Sequence, residues 1–166
     1  MNGPKRALGC DMGKRPDLTM DPQEVTRFLE DVNVGVLTTL TPTGWPHSAG
    51  MWFYLESGEL KMWTYAKSQK AVNAGRDPRV SLLIEKGEPY RDLKGVLVRG
   101  HVRVTSDTDE VSDIGRKLFD RYVAPRSGVA AEEGPHLEID RQATKRVGLI
   151  LPLENIVSWD HAKTLA

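Results

Sequence analysis

Between residues 63 and 76 the chain reads Trp63-Thr64-Tyr65-Ala66-Lys67-Ser68-Gln69-Lys70, with Asn73 and Arg76 just beyond. Hydroxyls and ammonium groups concentrated where a strand passes into a helix suit a phosphate, which takes N–H and O–H donors and one or two cations. Upstream, Trp45, Met51 and Trp52 supply flat apolar surface, and His47 and Ser48 stand between them as polar neighbours. Together the two segments would serve an aromatic ring that carries a phosphate. The candidate contacts are His47, Ser48, Met51 and Trp52 on one segment, and Trp63, Thr64, Lys67, Ser68, Lys70, Asn73 and Arg76 on the other. Each also has a plainer use. Strand tryptophans usually pack in cores, and lysines three apart can form a solvated helix face. No Ser-His-Asp arrangement, motif-placed carboxylate pair or metal-ligand spacing occurs, and His47 with His161 is not a metal pair. No catalytic side chain is marked, which fits chemistry carried by a bound cofactor.

The elements that must position these residues follow from pattern. Asp21-Pro22-Gln23-Glu24 opens a helix ending near Asp31, with a capping acid, an early proline and a stripe of Val25, Phe28, Leu29 and Val32. Residues 33–40 form a strand, and the turn at Thr41-Pro42-Thr43-Gly44 folds a second strand, residues 45–55, back on it. Ser57-Gly58 turns the chain into a third strand at 60–66. A short helix covers 67–75, with strands at 79–85 and 95–105, where Gly100 allows a bend. A helix spans 107–122, and another turn or two lies within 137–145. The last strand segments are 146–153 and 155–159. Residues 87–92 and 124–135 read as loops. Residues 1–18 read as a flexible tail and 19–166 as one domain. The expected fold is α+β, mainly β: a small antiparallel barrel with about three peripheral helices. Periodicity alone leaves sandwich and barrel level.

The chain has 166 residues, with 23 Lys+Arg against 23 Asp+Glu. This balance speaks against a nucleic-acid partner. The single cysteine, Cys10, rules out an internal disulfide. No apolar run is long enough for a membrane span, and no secretory h-region occurs. The expectation is a soluble cytoplasmic protein with no membrane partner.

The strings GWPHxxxMW, WTYAKSQKxxNxxRDPRVSLLIE, KGVLVRGHVRV and IVSWDHAK resemble the pyridoxamine 5′-phosphate oxidase-like superfamily, over roughly residues 20–163. Within it they look most like the branch that binds flavin or the deazaflavin coenzyme F420. The resemblance implies a split β-barrel of the FMN-binding type, a homodimer and cofactor sites at the dimer interface. It places Trp63, Thr64, Ser68 and Lys70 beside the cofactor phosphate, and Met51-Trp52 against the ring system. The true oxidases carry an arginine and a lysine where this chain has Ala49 and Tyr54, and an arginine-bearing C-terminal segment where it has Ser158-Trp159-Asp160-His161. The resemblance therefore points away from vitamin B6 oxidation. It implies an oxidoreductase passing hydride from F420 to a small unsaturated organic substrate. FMN is the alternative cofactor, and a non-catalytic carrier the alternative role. The basic tail (Lys5, Arg6, Lys14, Arg15) could fold over the anionic end of the longer cofactor.

Overall fold

The structure, a computed structural model, describes residues 17–127 and 133–165. Cys10, the proposed tail cations and part of the 124–135 stretch lie outside these. The described residues form nine strands and five α-helices.

Helix α1 (Pro22–Asp31) is capped reciprocally. The Asp21 carboxylate accepts from the Glu24 N–H at 2.8 Å, and the Glu24 carboxylate accepts from the Asp21 N–H at 2.8 Å. Its Val25, Phe28 and Leu29, spaced i, i+3, i+4, are buried. Each such burial is worth about 1.5–3 kcal/mol, so the helix is held by its apolar stripe more than by its own propensity.

Strands β1 (Val34–Leu40) and β2 (Pro46–Trp52) form the expected hairpin, with Val34 opposite Trp52 and Leu40 opposite Pro46. β3 (Tyr54–Glu56) and β4 (Glu59–Tyr65) form a second hairpin, turned at Ser57 and Gly58, whose φ angles are 52° and 77°. Helix α2 (Gln69–Arg76) leads to β5 (Arg79–Lys86), β6 (Lys94–His101) and β7 (Arg103–Thr105). Helices α3 (Thr108–Tyr122), α4 (Ala124–Ser127) and α5 (Glu133–Ala143) precede β8 (Arg146–Pro152) and β9 (Asn155–Asp160).

The strands make two antiparallel sheets, one ordered β2-β1-β5-β6-β9 and the other β3-β4-β8-β7, and no closed barrel. The mixed α+β, split-barrel expectation holds. Two long strands of the sequence reading do not. Residues 45–55 divide at Phe53, where consecutive buried residues Phe53 and Tyr54 break the two-residue period and carry the chain from one sheet to the other. Residues 95–105 divide at Val102, not at Gly100. The Val102 N–H donates to the Pro78 carbonyl at 2.8 Å, after which Arg103 pairs with Ile150 of β8. The 124–135 loop holds α4 and the start of α5, so the fourth substantial helix is longer than the turn or two expected.

The principal core lies between the sheets and under α1 and α2. It joins Leu37, Met51, Phe53 and Leu82 to Leu60, Met62, Leu149 and Leu151. A second cluster packs α3 onto the outside of the four-stranded sheet through Ile114, Leu118 and Tyr122 against Tyr54 and Ile150.

Candidate functional site

Where β4 enters α2, the chain exposes a set of unspent donors. Ser68 is the N-cap of α2, yet its side chain makes no capping bond. Its Oγ instead lies 3.2 Å from the Thr64 Oγ1, deep in the fold, where Thr64 is 5% exposed. The first N–H donated inside this stretch of helix is that of Val72, to the Ser68 carbonyl at 3.0 Å. The N–H groups of Gln69, Lys70 and Ala71 thus lie in the first turn, where a helix has no carbonyl of its own to offer and the dipole favours negative charge. Lys70, half-buried in that same turn, has no carboxylate partner among the described residues.

Met51, Trp52, Trp63, Thr64 and Lys70 line one cavity of about 350 Å³, together with Val34 and Gly50. Five residues nominated from sequence therefore converge. Its walls come from both sheets: Val34, Gly50 and Trp52 from the β1–β2 hairpin, and Trp63 and Thr64 from β4. Trp52 is 47% exposed and stacks on Tyr122, with centroids 5.2 Å apart. Trp63 is held from behind, because a Cβ on Gly115 of α3 would come within 2.6 Å of its ring. Lys67 and Ser68 line an adjoining cavity of about 730 Å³ with Tyr65, Ala66, Thr144 and Lys145. The Thr64–Ser68 hydroxyl pair stands between the two hollows.

The remaining nominees lie elsewhere. His47 is half-buried on β2, where its carbonyl accepts from the Thr39 hydroxyl at 3.3 Å. Ser48 Oγ sits 2.9 Å from Thr38 Oγ1 across the hairpin. Asn73 is fully buried; its amide donates to Thr39 Oγ1 at 3.1 Å and accepts from Gln69 at 2.8 Å, which ties α2 to β1. Arg76 donates to the Leu40 carbonyl. Trp45, 74% exposed, stands at the hairpin turn.

Sequence reasoning missed Val34 and Gly50, though the hairpin register that sets them beside Trp52 follows from the Thr41–Gly44 turn. It also missed Arg146, whose guanidinium lies 4.1 Å from the Trp63 ring centroid and 4.2 Å from that of Tyr65. Only the β4–β8 pairing, with Tyr65 opposite Arg146, creates that stack.

The sequence profile of the pyridoxamine 5′-phosphate oxidase family matches residues 21–147. The chain belongs to this family. A conserved hypothetical protein from Mycobacterium tuberculosis is 34% identical over 93% of this chain and 93% of its own, with a TM-score of 0.82. A solved F420 reductase is 25% identical over 79% of this chain and 94% of its own, with a TM-score of 0.60. A FAD-binding protein from Mesorhizobium loti shares the fold at 17% identity, over 84% of this chain and 94% of its own, with a TM-score of 0.63. No curated protein matches the chain. Membership brings the family's two-sheet frame, and with it a reason for the cavity: the gap lies where that frame divides. Among the described residues no cluster of His, Cys, Asp or Glu could hold a metal, and no helix is long and apolar enough to cross a membrane.

Proposed function

We propose that this chain is a cytoplasmic oxidoreductase that binds coenzyme F420 in the Trp52–Trp63 cavity, as a homodimer, and serves hydride transfer to a small unsaturated organic substrate. One observation carries the reading: aromatic walls and an anion-ready helix start meet in a single cavity. The donor set fits a ring bearing a phosphate. Thr64, Ser68 and the first-turn N–H groups of α2 would hold the phosphate oxygens, and Lys70 would balance their charge. Trp52, Trp63 and Met51 would take the ring and exclude water from its face. When bound, the deazaflavin supplies the hydride, so the chain needs no nucleophile of its own. The likeness to an F420 reductase supports the choice of cofactor.

The dimer reading rests on the outer face of the five-stranded sheet. There Val36, Leu83, Leu97 and Val157 stand in register across four strands, and Val36, Leu83 and Val157 are 41%, 36% and 46% exposed. An apolar row of that length is a surface for another protein chain. Val34, Gly50 and Trp52 continue the same face into the cavity, so a second copy seated there would border the cofactor.

Titration of the apo protein with F420 and with FMN at equal ionic strength tests the reading. Tighter F420 binding, followed by oxidation of reduced F420 in the presence of quinones or enones, is expected. FMN binding as tight or tighter, or FMN co-purifying at full occupancy, would transfer the site to the FMN-dependent alternative. F420 binding without turnover would make the protein a carrier.

A further inference from the structure

Behind the Trp52–Trp63 wall lies a third hollow, of about 330 Å³, closed by α3 and α5. Trp52 and Trp63 are shared with the cofactor cavity; Phe119, Val123 and Ile139 complete an apolar lining. One side is polar. Glu138, Gln142 and Arg146 also line the hollow, each four residues beyond the last. They are hydrogen-bonded in series: Gln142 donates to the Glu138 carboxylate at 3.3 Å and accepts from Arg146 Nη2 at 2.9 Å.

The charge in this series is unbalanced at one end. Glu138 is 59% exposed and has Arg141 at 3.8 Å. Arg146 has no carboxylate within ion-pair distance among the described residues, and only Nη2 makes a hydrogen bond. The guanidinium lies over the rings of Trp63 and Tyr65 and its Nε is buried without a partner, which leaves the Nη1/Nη2 end for recognition. A planar cation edge beside an apolar slot is complementary to a flat molecule ending in a carboxylate, which guanidinium binds with two parallel hydrogen bonds. At about 330 Å³ the hollow is at the small end of ligand sites, which suits roughly one or two fused rings.

We infer that the α3–α5 hollow is a subsite for a small planar aromatic or conjugated carboxylic acid, with Arg146 as its anion-recognising residue. As the substrate site of the proposed oxidoreductase it rests on that reading; as a binding site it does not. The two hollows share the Trp52–Trp63 wall, so an acid held on Arg146 lies next to the cofactor cavity. The Arg146–Gln142–Glu138 series sets the polar side against which that acid is selected.

The test is calorimetric titration of the full chain with 2-naphthoate and with 2-naphthamide, each with and without F420. Saturable naphthoate binding is expected, with the amide at least about tenfold weaker, the loss expected for one charged hydrogen bond. Gln142→Glu sets a carboxylate beside Arg146 without disturbing its stack. It should weaken naphthoate at least about tenfold and leave the amide unchanged. Arg146→Met should do the same, and if that variant fails to fold, Gln142→Glu decides. Equal binding of acid and amide, or no effect of Gln142→Glu, would overturn the inference. So would absence of naphthoate binding to a protein that takes up F420. Naphthoate binding without F420 binding would retain the subsite and discard the F420 reading instead.

Discussion

On the four-stranded sheet, the outward side chains Tyr54 and Ile150 are covered by Ile114, Leu118 and Tyr122 from the same chain. On the five-stranded sheet, the outward row through Val36, Leu83 and Val157 has no cover among the described residues. Both sheets contribute their inner faces to one core. The difference teaches that an apolar outer face was filled locally in one place and left uncovered by the described residues in the other. The Trp52–Trp63 cavity, the proposed cofactor site, lies where the covered and the open regions meet, with Trp63 anchored by α3 and Trp52 half in the open.

Core truncation should separate the two faces most strongly. Leu118→Ala, at a site 2% exposed, should cost about 2–5 kcal/mol in chemical denaturation. Leu83→Ala, at a site 36% exposed within one copy, should cost well under that in the same assay at protein concentrations low enough to separate the copies. Comparable losses would mean that the outer face of the five-stranded sheet is structural within one copy. Charge is the sharper probe of the open face. Leu83→Glu should give a folded monomer in light scattering where the parent is a dimer, because two buried carboxylates would face one another across a two-fold contact. A parent that is monomeric at micromolar concentration would remove the assembly reading altogether.

At the junction, Lys70→Ala should weaken cofactor binding by about 1.5–3 kcal/mol, the range for a hydrogen bond to a charged group, while the melting temperature stays put. A lower melting temperature with unchanged affinity would instead make Lys70 a packing residue. The smallest effect concerns how α3 is fastened. Arg103 donates twice to Glu110, at 3.0 and 2.7 Å, which pins α3 to β7. That guanidinium lowers the Glu110 pKa from 4.5 to about 2. A depressed carboxylate stabilises the fold above its unfolded pKa, and the benefit fades as pH falls from about 4.5 toward 2. Both partners are substantially exposed, at 54% and 34%, so Glu110→Gln should cost no more than about 1 kcal/mol at pH 7. The cost should vanish near pH 2, and a cost independent of pH would assign Glu110 a purely steric role.

Local chemistry was legible before any tertiary information. The Asp21–Glu24 capping box, the Ser57-Gly58 turn and the hairpin at Thr41–Gly44 each depend on residues a few positions apart, and all formed as read. The same holds for the run from Trp63 to Lys70, since a strand entering a helix brings Thr64, Ser68 and Lys70 together by itself. Strand division was legible only in part. At Phe53 the burial period breaks, and the sequence carries that break; at Val102 the alternation runs on while the hydrogen-bonding partner changes from β5 to β8. No local pattern records a change of partner. Asn73 and Arg146 show the same limit. Both are polar residues at helix or strand positions that look solvated. Asn73 is buried because α2 lies against Thr39, and Arg146 is stacked because β8 pairs with β4. Sequence set the donors, the turns and the apolar stripes through short-range stereochemistry. Tertiary structure alone decided which polar groups remained unspent, since that depends on distant strands meeting.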